Sequence, residues 1–356
     1  MFWALLLLRT NGSRWKRALS KPLYEHPPAM KTRSFVQFTA PSVVLMLALL
    51  ALPLVMTFWL SVRNCAPELE LVVVTQTGPF EPQRVVTQRA RVNPAGQIVE
   101  NCTFVGFDYY RKLLGLVRDD PANAASAQHN EFLEALKFTL LYVVVTTPFV
   151  LVGGLLLALG VNRAARGLRG FFISASLLPF IITPVVGALA IKWLFRDNGL
   201  VPHVLAQFGV EVFWMAQAWS ARLLIMLYGV WHVLPFAFIV LYAGLQSVPQ
   251  DALEAATIDG ASRWQKLRFV TLPHLMPLIT FVTMIHLMDA YRVFEPVLVL
   301  TQGTFTTSVQ YLTYYVLLEE NNPFKASAAA VLTVLGIAVL LIPMLRKTWR
   351  EQRQGF

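Results

Sequence analysis

The sequence predicts an all-α polytopic membrane protein: six transmembrane helices and a small external subdomain containing β-strands. Three observations carry that class. Of 356 residues, 56% are hydrophobic and only 14% are charged, against about a quarter charged in an average soluble domain. Six apolar runs are long enough to cross the hydrocarbon layer as helix, which takes about 20 residues for roughly 30 Å. Basic residues gather in three of the polar segments that flank these runs. A soluble globule of this composition would expose large apolar patches, so an ordinary soluble enzyme, a disordered chain and a disulfide scaffold are all excluded. The formal net charge of +10 then reads as basic cytoplasmic ends rather than a nucleic-acid surface.

Residues 1–34 read as a cytoplasmic N-terminal tail. Its FWALLLL stretch has no basic segment before it and basic residues after it, which fits an interfacial patch better than a cleaved signal. The first span covers 35–62, and 63–130 form the external loop subdomain. A five-helix core over 131–346 follows, and 347–356 form a cytoplasmic C-terminal tail. Within the core the spans run Phe132–Val161, Leu168–Phe195, Leu223–Leu245, Leu275–Leu300 and Ala326–Leu345. Pro53, Pro148, Pro179, Pro184 and Pro235 lie inside spans, where neighbouring helices can satisfy the freed carbonyls. Gly153, Gly154, Ala158, Ala326 and Ala330 suit close helix contacts.

Charge sets the orientation. Arg9, Arg14, Lys16, Arg17, Lys21, Lys31 and Arg33 precede the first span, against Glu25 alone. Arg163, Arg166 and Arg169 lie between spans two and three, and Arg346, Lys347, Arg350 and Arg353 follow span six. The positive-inside rule makes all three segments cytoplasmic, and an even number of spans makes that consistent, with both termini inside.

The outer segment holds the stretches LELVVVTQ and QRVVTQRARV, rich in β-branched residues, with Gly78, Pro79 and Pro82 between them. This pattern predicts a β-hairpin. The only cysteines, Cys65 and Cys102, both fall here. On the oxidising side of a membrane they could close this loop as a disulfide, or stay as two unpaired thiols.

The cytoplasmic loop from Ser247 to Pro277 is too ordered for a plain connector. Ser247 and Gln250 have the spacing of a capping box, with Pro249 in the first turn of a helix over about 249–259. Gly260 suits a left-handed C-terminal cap. Ser262 and Gln265 form a second box and start a second helix, which Pro273 breaks before span five. The result is a protruding knob of two short helices. Ala252, Ala255, Ala256 and Ala261 permit close approach, and Leu253 and Ile258 supply apolar contact. A membrane-surface linker is the alternative, but it would want large apolar residues opposite a lysine-rich face.

No G-x-x-x-x-G-K-[ST] phosphate loop, H-E-x-x-H or G-x-S-x-G occurs, so the chain reads as neither an ATPase nor another enzyme, with no metal or cofactor of its own. Intramembrane ionisable residues mark paths or partners. Span five carries Asp289, Arg292 and Glu295 around Tyr291 and Phe294, the densest such cluster in any span. Asp289 and Arg292, three apart, can pair; a structural ion pair at a helix end is the plainer reading, a polar solute path the other. Tyr291, Phe294, Gln302 and Gln310 could line such a path, as could Tyr228, Trp231, His232 and Tyr242 in span four, although an aromatic stripe at helical spacing is more often packing.

Glu254-Ala255-Ala256, then Asp259-Gly260-Ala261, then Leu272-Pro273 and Pro277, resemble the EAA loop of the membrane subunits of binding-protein-dependent ABC importers. NCTFVGFDYYRKLL, LLPFIITPVVGALAIKWLFRDNGLVP and DAYRVFEPVLVLTQG resemble carbohydrate-type permeases, and the chain from about residue 35 onward is similar to the first permease of maltose, trehalose and glycerol-phosphate systems. The outer loop is longer than in minimal members, and Asp108-Tyr109-Tyr110 stands where asparagine before tyrosine is usual. The resemblance implies the type I ABC importer permease fold in the inner membrane. It implies ATP and Mg in two copies of a separate ATPase, a second permease completing a heterodimer, an external solute-binding protein and a sugar-like solute. It assigns Glu254, Ala255, Ala256, Asp259, Gly260, Ala261, Leu272 and Pro273 to ATPase coupling. A permease for an amino acid, peptide or phosphate is the runner-up; a secondary transporter or channel would need internal repeats or a buried ion relay.

Overall fold

The computed structural model describes residues 32–77, 82–94, 96, 99–116 and 131–354. The N-terminal tail before residue 32, the turn residues Gly78 and Pro79, and the stretch before the second span lie outside the described residues. The chain divides into two compact units, Met1–Val55 and Met56–Phe356. The first holds most of α1 (Thr32–Ser61), a 30-residue helix with Pro41 and Pro53 inside it.

The second unit begins with the end of α1 and a strand-bearing subdomain. β1 (Arg63–Pro67) pairs antiparallel with β4 (Glu100–Phe104), placing Cys65 opposite Cys102, and the two sulfurs are bonded. Between them β2 (Leu69–Thr77) and β3 (Pro82–Ala90) form a hairpin with Val73 opposite Val86. The short helix α2 (Asp108–Leu113) buries Tyr109, Tyr110 and Leu113, and the Tyr110 hydroxyl meets Ser61 Oγ at 2.6 Å. Burial raises the Tyr109 phenol above its ordinary pKa, so it packs as a neutral ring. The disulfide closes a loop with a sequence separation of 37, so Cys102→Ser is expected to cost the β1–β4 pairing about 4 kcal/mol through restored loop freedom. Amide hydrogen exchange at residues 63–67 and 100–104 should speed up accordingly, while exchange in the spans stays unchanged.

The core follows as α3 (Glu131–Arg163), α4 (Arg166–Ile181), α5 (Pro184–Phe195), α6 (Leu200–Gln207), α7 (Ala218–Gln246), α8 (Gln250–Ile258), α9 (Arg263–Lys266), α10 (Leu272–Tyr291), α11 (Val309–Leu318) and α12 (Pro323–Gln354). Among the described residues five helices are long and apolar enough to cross a membrane, and the bent pair from Arg166 to Gln207 can supply a sixth. The centre is the crossing of α3 with α7. A Cβ on Gly154 would lie 2.8 Å from the Ala237 side chain and 3.0 Å from the Phe238 backbone nitrogen, so only glycine lets the two helices come this close. Ala158, Phe238, Leu241 and Leu275 pack beside that contact.

Three expectations need correction. The third span is not one helix: α4 meets the stretch Pro184–Gln207, which holds α5 and α6, at a 94° bend. Thr183, before Pro184, is extended at φ −60°, ψ 143°, as steric conflict with a following proline favours, and Pro184 has no N–H for the Phe180 carbonyl. The fifth span leaves α-helix at Tyr291 rather than Leu300, and the chain turns helical again at Glu295–Pro296, leading into a π-turn over Val297–Thr301. Pro273, finally, does not break the helix before it. Arg263 to Tyr291 runs continuously, and a π-turn, Leu267–Thr271, precedes Pro273, with the Leu272 N–H donating to the Leu267 carbonyl. This wider turn takes up the mismatch left by a proline that can neither donate to nor pack against the carbonyl four residues back.

Candidate functional site

Two sites stand out in the second unit: the knob between α7 and α10, and a cavity between α3, α7, α10 and the broken α4–α5 pair.

In the knob, Ser247 is not the cap of α8. It closes α7 instead, its Oγ donating to the Gly244 carbonyl at 2.9 Å and meeting His274 Nε2 at 3.1 Å; Pro249 holds the N-cap position of α8 with no side-chain bond. The clasp to His274 ties both roots of the knob together. At the far end Gly260 adopts φ +74°. Its N–H donates to the Thr257 carbonyl at 3.1 Å and the Ala261 N–H to the Ala256 carbonyl at 2.9 Å, the two bonds of a Schellman turn after the C-cap Asp259. Ser262 and Gln265 then form a reciprocal capping box at 2.7 and 3.3 Å. Lys266 Nζ reaches back to Thr257 Oγ1 at 2.7 Å and locks the two helices against each other. Leu253, Ala256 and Ala261 turn partly inward, whereas Glu254, Ala255, Ile258 and Gly260 are exposed. Ile258 is 87% exposed, and Glu254 makes no ion pair among the described residues. A rigid wedge with an apolar tip and the exposed carboxylates of Asp251, Glu254 and Asp259 is therefore presented outward. Leu272 and Pro273 lie at its root, where α10 begins.

The cavity encloses about 530 Å³. It gathers Tyr228, Asp289, Arg292, Phe294 and Glu295 with His232 and Gln310. It leaves out Tyr291, which is buried with its ring against Gly336. Trp231 is also absent from the lining, its ring 6.1 Å from that of Tyr228. Gln302 lines a separate cavity of about 400 Å³ with Glu131, Tyr311 and Glu320. Asp289 and Arg292 pair at 3.5 Å where α10 ends, both side chains more than half exposed; such a pair is worth little.

Sequence reasoning missed Tyr142, Phe180, Phe236 and His286 in this lining. Tyr228, His232 and Phe236 repeat every four residues, which puts them on one face of α7. That face caps the broken span: the Tyr228 hydroxyl donates to the Pro184 carbonyl at 2.7 Å, and His232 Nδ1 lies 2.8 Å from the Pro179 carbonyl. Phe180 stacks on Phe236 at 5.9 Å and Tyr228 on His232 at 5.6 Å. Polar tips on an aromatic stripe opposite two prolines were the available signal. Discontinuous helices around a central cavity are where transporters place their solutes.

The comparisons with known proteins agree with this architecture. Residues 122–353 match the family model described as binding-protein-dependent transport system inner membrane component. A probable ABC transporter permease, y4oQ of Sinorhizobium fredii, is 27% identical over 90% of this chain and 92% of its own length. The trehalose/maltose transport system permease MalF of Thermococcus litoralis is 35% identical over 49% of this chain and 62% of its own. The sn-glycerol-3-phosphate permease UgpA of Escherichia coli O157:H7 is 28% identical over 85% and 97%. A solved chain of a bacterial ABC transporter that imports alginate superposes with a TM-score of 0.66, at 22% identity over 89% of this chain and 96% of that one; that likeness concerns the fold. The chain thus belongs to the family of inner membrane components of binding-protein-dependent transport systems, the multi-pass permeases of ABC transporters.

Proposed function

We propose that the chain forms half of the translocation path of an ATP-driven carbohydrate importer and receives its driving force through the knob. The carbohydrate reading is supported by relatives named for trehalose/maltose, arabinooligosaccharides and glycerol phosphate, and by a polar, aromatic-rich cavity at the broken span. The observation that carries the coupling role is the exposed wedge itself: two short helices locked by a Schellman turn, a capping box and the Lys266–Thr257 bond. In this reading Glu254 offers its carboxylate to an arginine or backbone donors of an ATPase subunit, Ala255 permits close packing, and Gly260 sets the angle between the helices. Asp259, Ala256 and Ala261 hold the turn, and Leu272 and Pro273 pass the motion into α10. The partners are two ATPase copies that bind ATP and Mg, a second permease with its own EAA loop, and an external solute-binding protein. Both termini face the cytoplasm, following the basic segments.

The test is reconstitution of the assembled importer in sealed vesicles with candidate sugars. ATP hydrolysis is expected to rise only when binding protein and the right sugar are both present, with uptake in step. Uptake by this chain in vesicles lacking any ATPase would overturn the reading.

A further inference from the structure

The hydrogen bonds around the cavity settle which atoms are left for a solute, and the answer is one-sided. The Pro179 carbonyl can only accept, so His232 Nδ1 carries the hydrogen of their 2.8 Å bond, and Nε2 of the neutral ring is an acceptor. Thr146 Oγ1 spends its single hydrogen on the Tyr142 carbonyl at 2.8 Å, so in its 3.2 Å contact with His286 Nε2 the imidazole donates. His286 Nδ1 is therefore also an acceptor in the neutral ring. It has no hydrogen-bond partner and is buried, in a residue 1% exposed, so it adds a lone pair behind the cavity wall rather than a contact for the solute. The Tyr228 hydroxyl has its hydrogen on the Pro184 carbonyl, leaving only lone pairs.

The charged groups lean the same way. The lining holds two carboxylates, Asp289 and Glu295, and one guanidinium, Arg292. Arg292 and Asp289 lie 3.5 Å apart and offset each other's charge, whereas Glu295 is half-buried and forms no ion pair among the described residues. Beyond the unused N–H groups of Arg292, only the Gln310 amide and the Tyr142 hydroxyl remain able to donate. With neutral imidazoles the cavity carries one net negative charge and a surplus of acceptors. An anion placed there would face lone pairs and a carboxylate across a low-dielectric wall, whereas hydroxyl and ammonium groups would find partners, with Phe180, Phe236 and Phe294 offering apolar faces.

We propose that this cavity selects hydrogen-bond-donating carbohydrates without negative charge, neutral or amino sugars, and rejects sugar phosphates and uronates. The proposal rests on the carbohydrate reading above and narrows it. It separates this chain from the relative named for glycerol phosphate.

The experiment measures initial uptake by the complete importer in vesicles. The neutral probes are maltose and trehalose, the amino probe is a glucosamine disaccharide, and the anionic probes are glycerol 3-phosphate and a mannuronate disaccharide. Wild type is compared with Glu295→Gln and Glu295→Lys at one fixed level of the same binding protein, so that protein's own preference cancels between variants. The neutral or amino probes are expected to enter and the anionic ones not. Reversing the charge should raise the anionic-to-neutral uptake ratio about tenfold, and neutralising it about threefold. Anionic uptake equal to or above neutral uptake in the wild type would overturn the proposal. So would an unchanged ratio in both variants, including the case in which Glu295→Lys fails to assemble and Glu295→Gln behaves as wild type. If no carbohydrate of either charge enters while an amino acid, peptide or phosphate does, the carbohydrate reading falls and this proposal with it, a result distinct from the wrong charge preference.

Discussion

Gly260→Pro is expected to leave the chain inserted and folded yet nearly abolish coupled uptake. The residue sits at φ +74°, which proline, held near −65°, cannot reach, and its N–H bond to the Thr257 carbonyl at 3.1 Å would vanish. Proline in so constrained a place costs roughly 3 kcal/mol. Charged to the shape of the knob alone, that lowers the correctly formed fraction, and uptake with it, by about a hundredfold. Gly260→Ala separates conformation from space. No atom lies within 4 Å of the added Cβ, so only the left-handed strain of about 1–2 kcal/mol remains, and uptake should fall about tenfold. Glu254→Lys removes neither bond nor backbone freedom but reverses an exposed, unpaired charge, and should uncouple ATP hydrolysis from solute with no change in melting temperature. Sugar-dependent uptake at the wild-type rate in the proline variant would remove the knob from the mechanism.

Gly154→Leu carries the largest expected effect on the protein itself. Its new side chain would point at the Ala237 and Phe238 backbone, 3.0–3.1 Å from the Cβ, and a backbone inside a long helix cannot step aside as a flexible side chain can. Separating α3 from α7 would open contacts around Val150, Ala237 and Val282, all fully buried. The cost should be roughly 3 kcal/mol or more, seen as a fall of roughly 5–10 °C in the thermal midpoint of the purified chain. Gly160→Leu is the matched control. It lies on the same helix with nothing within 4 Å of its Cβ, so its midpoint should not move. Equal midpoints for the two variants would mean that the crossing is not the stabilising centre.

The spans and the strand-bearing segment were legible because each rests on a periodic or compositional signal that survives without tertiary knowledge, and the importer family because Glu254-Ala255-Ala256, Asp259-Gly260 and Leu272-Pro273 stand at the spacing of a known loop. Gly260 and the Ser262–Gln265 pair were legible for a related reason, since caps are local chemistry. Ser247 was misread because spacing cannot tell whether a hydroxyl serves the helix after it or the last carbonyls of the one before. The broken third span was misread although Thr183-Pro184 carried the signal, since prolines in apolar runs are usually tolerated and only packing against α7 shows which one breaks the helix. The cavity was half legible: Asp289, Arg292 and Glu295 stand out as charges in an apolar run, while Tyr142, His286, Phe180 and Phe236 look like packing until α3, α4 and α7 are brought together.

The surplus residue in the π-turn Leu267–Thr271 works as a phase setting. In a regular helix each residue advances the azimuth by about 100°, so the angle at which the wedge points from the fifth span is dialled by the length of this one turn. If the wedge is the coupling element proposed above, a single insertion or deletion there would re-aim it toward its ATPase partner, leaving every wedge residue as it is.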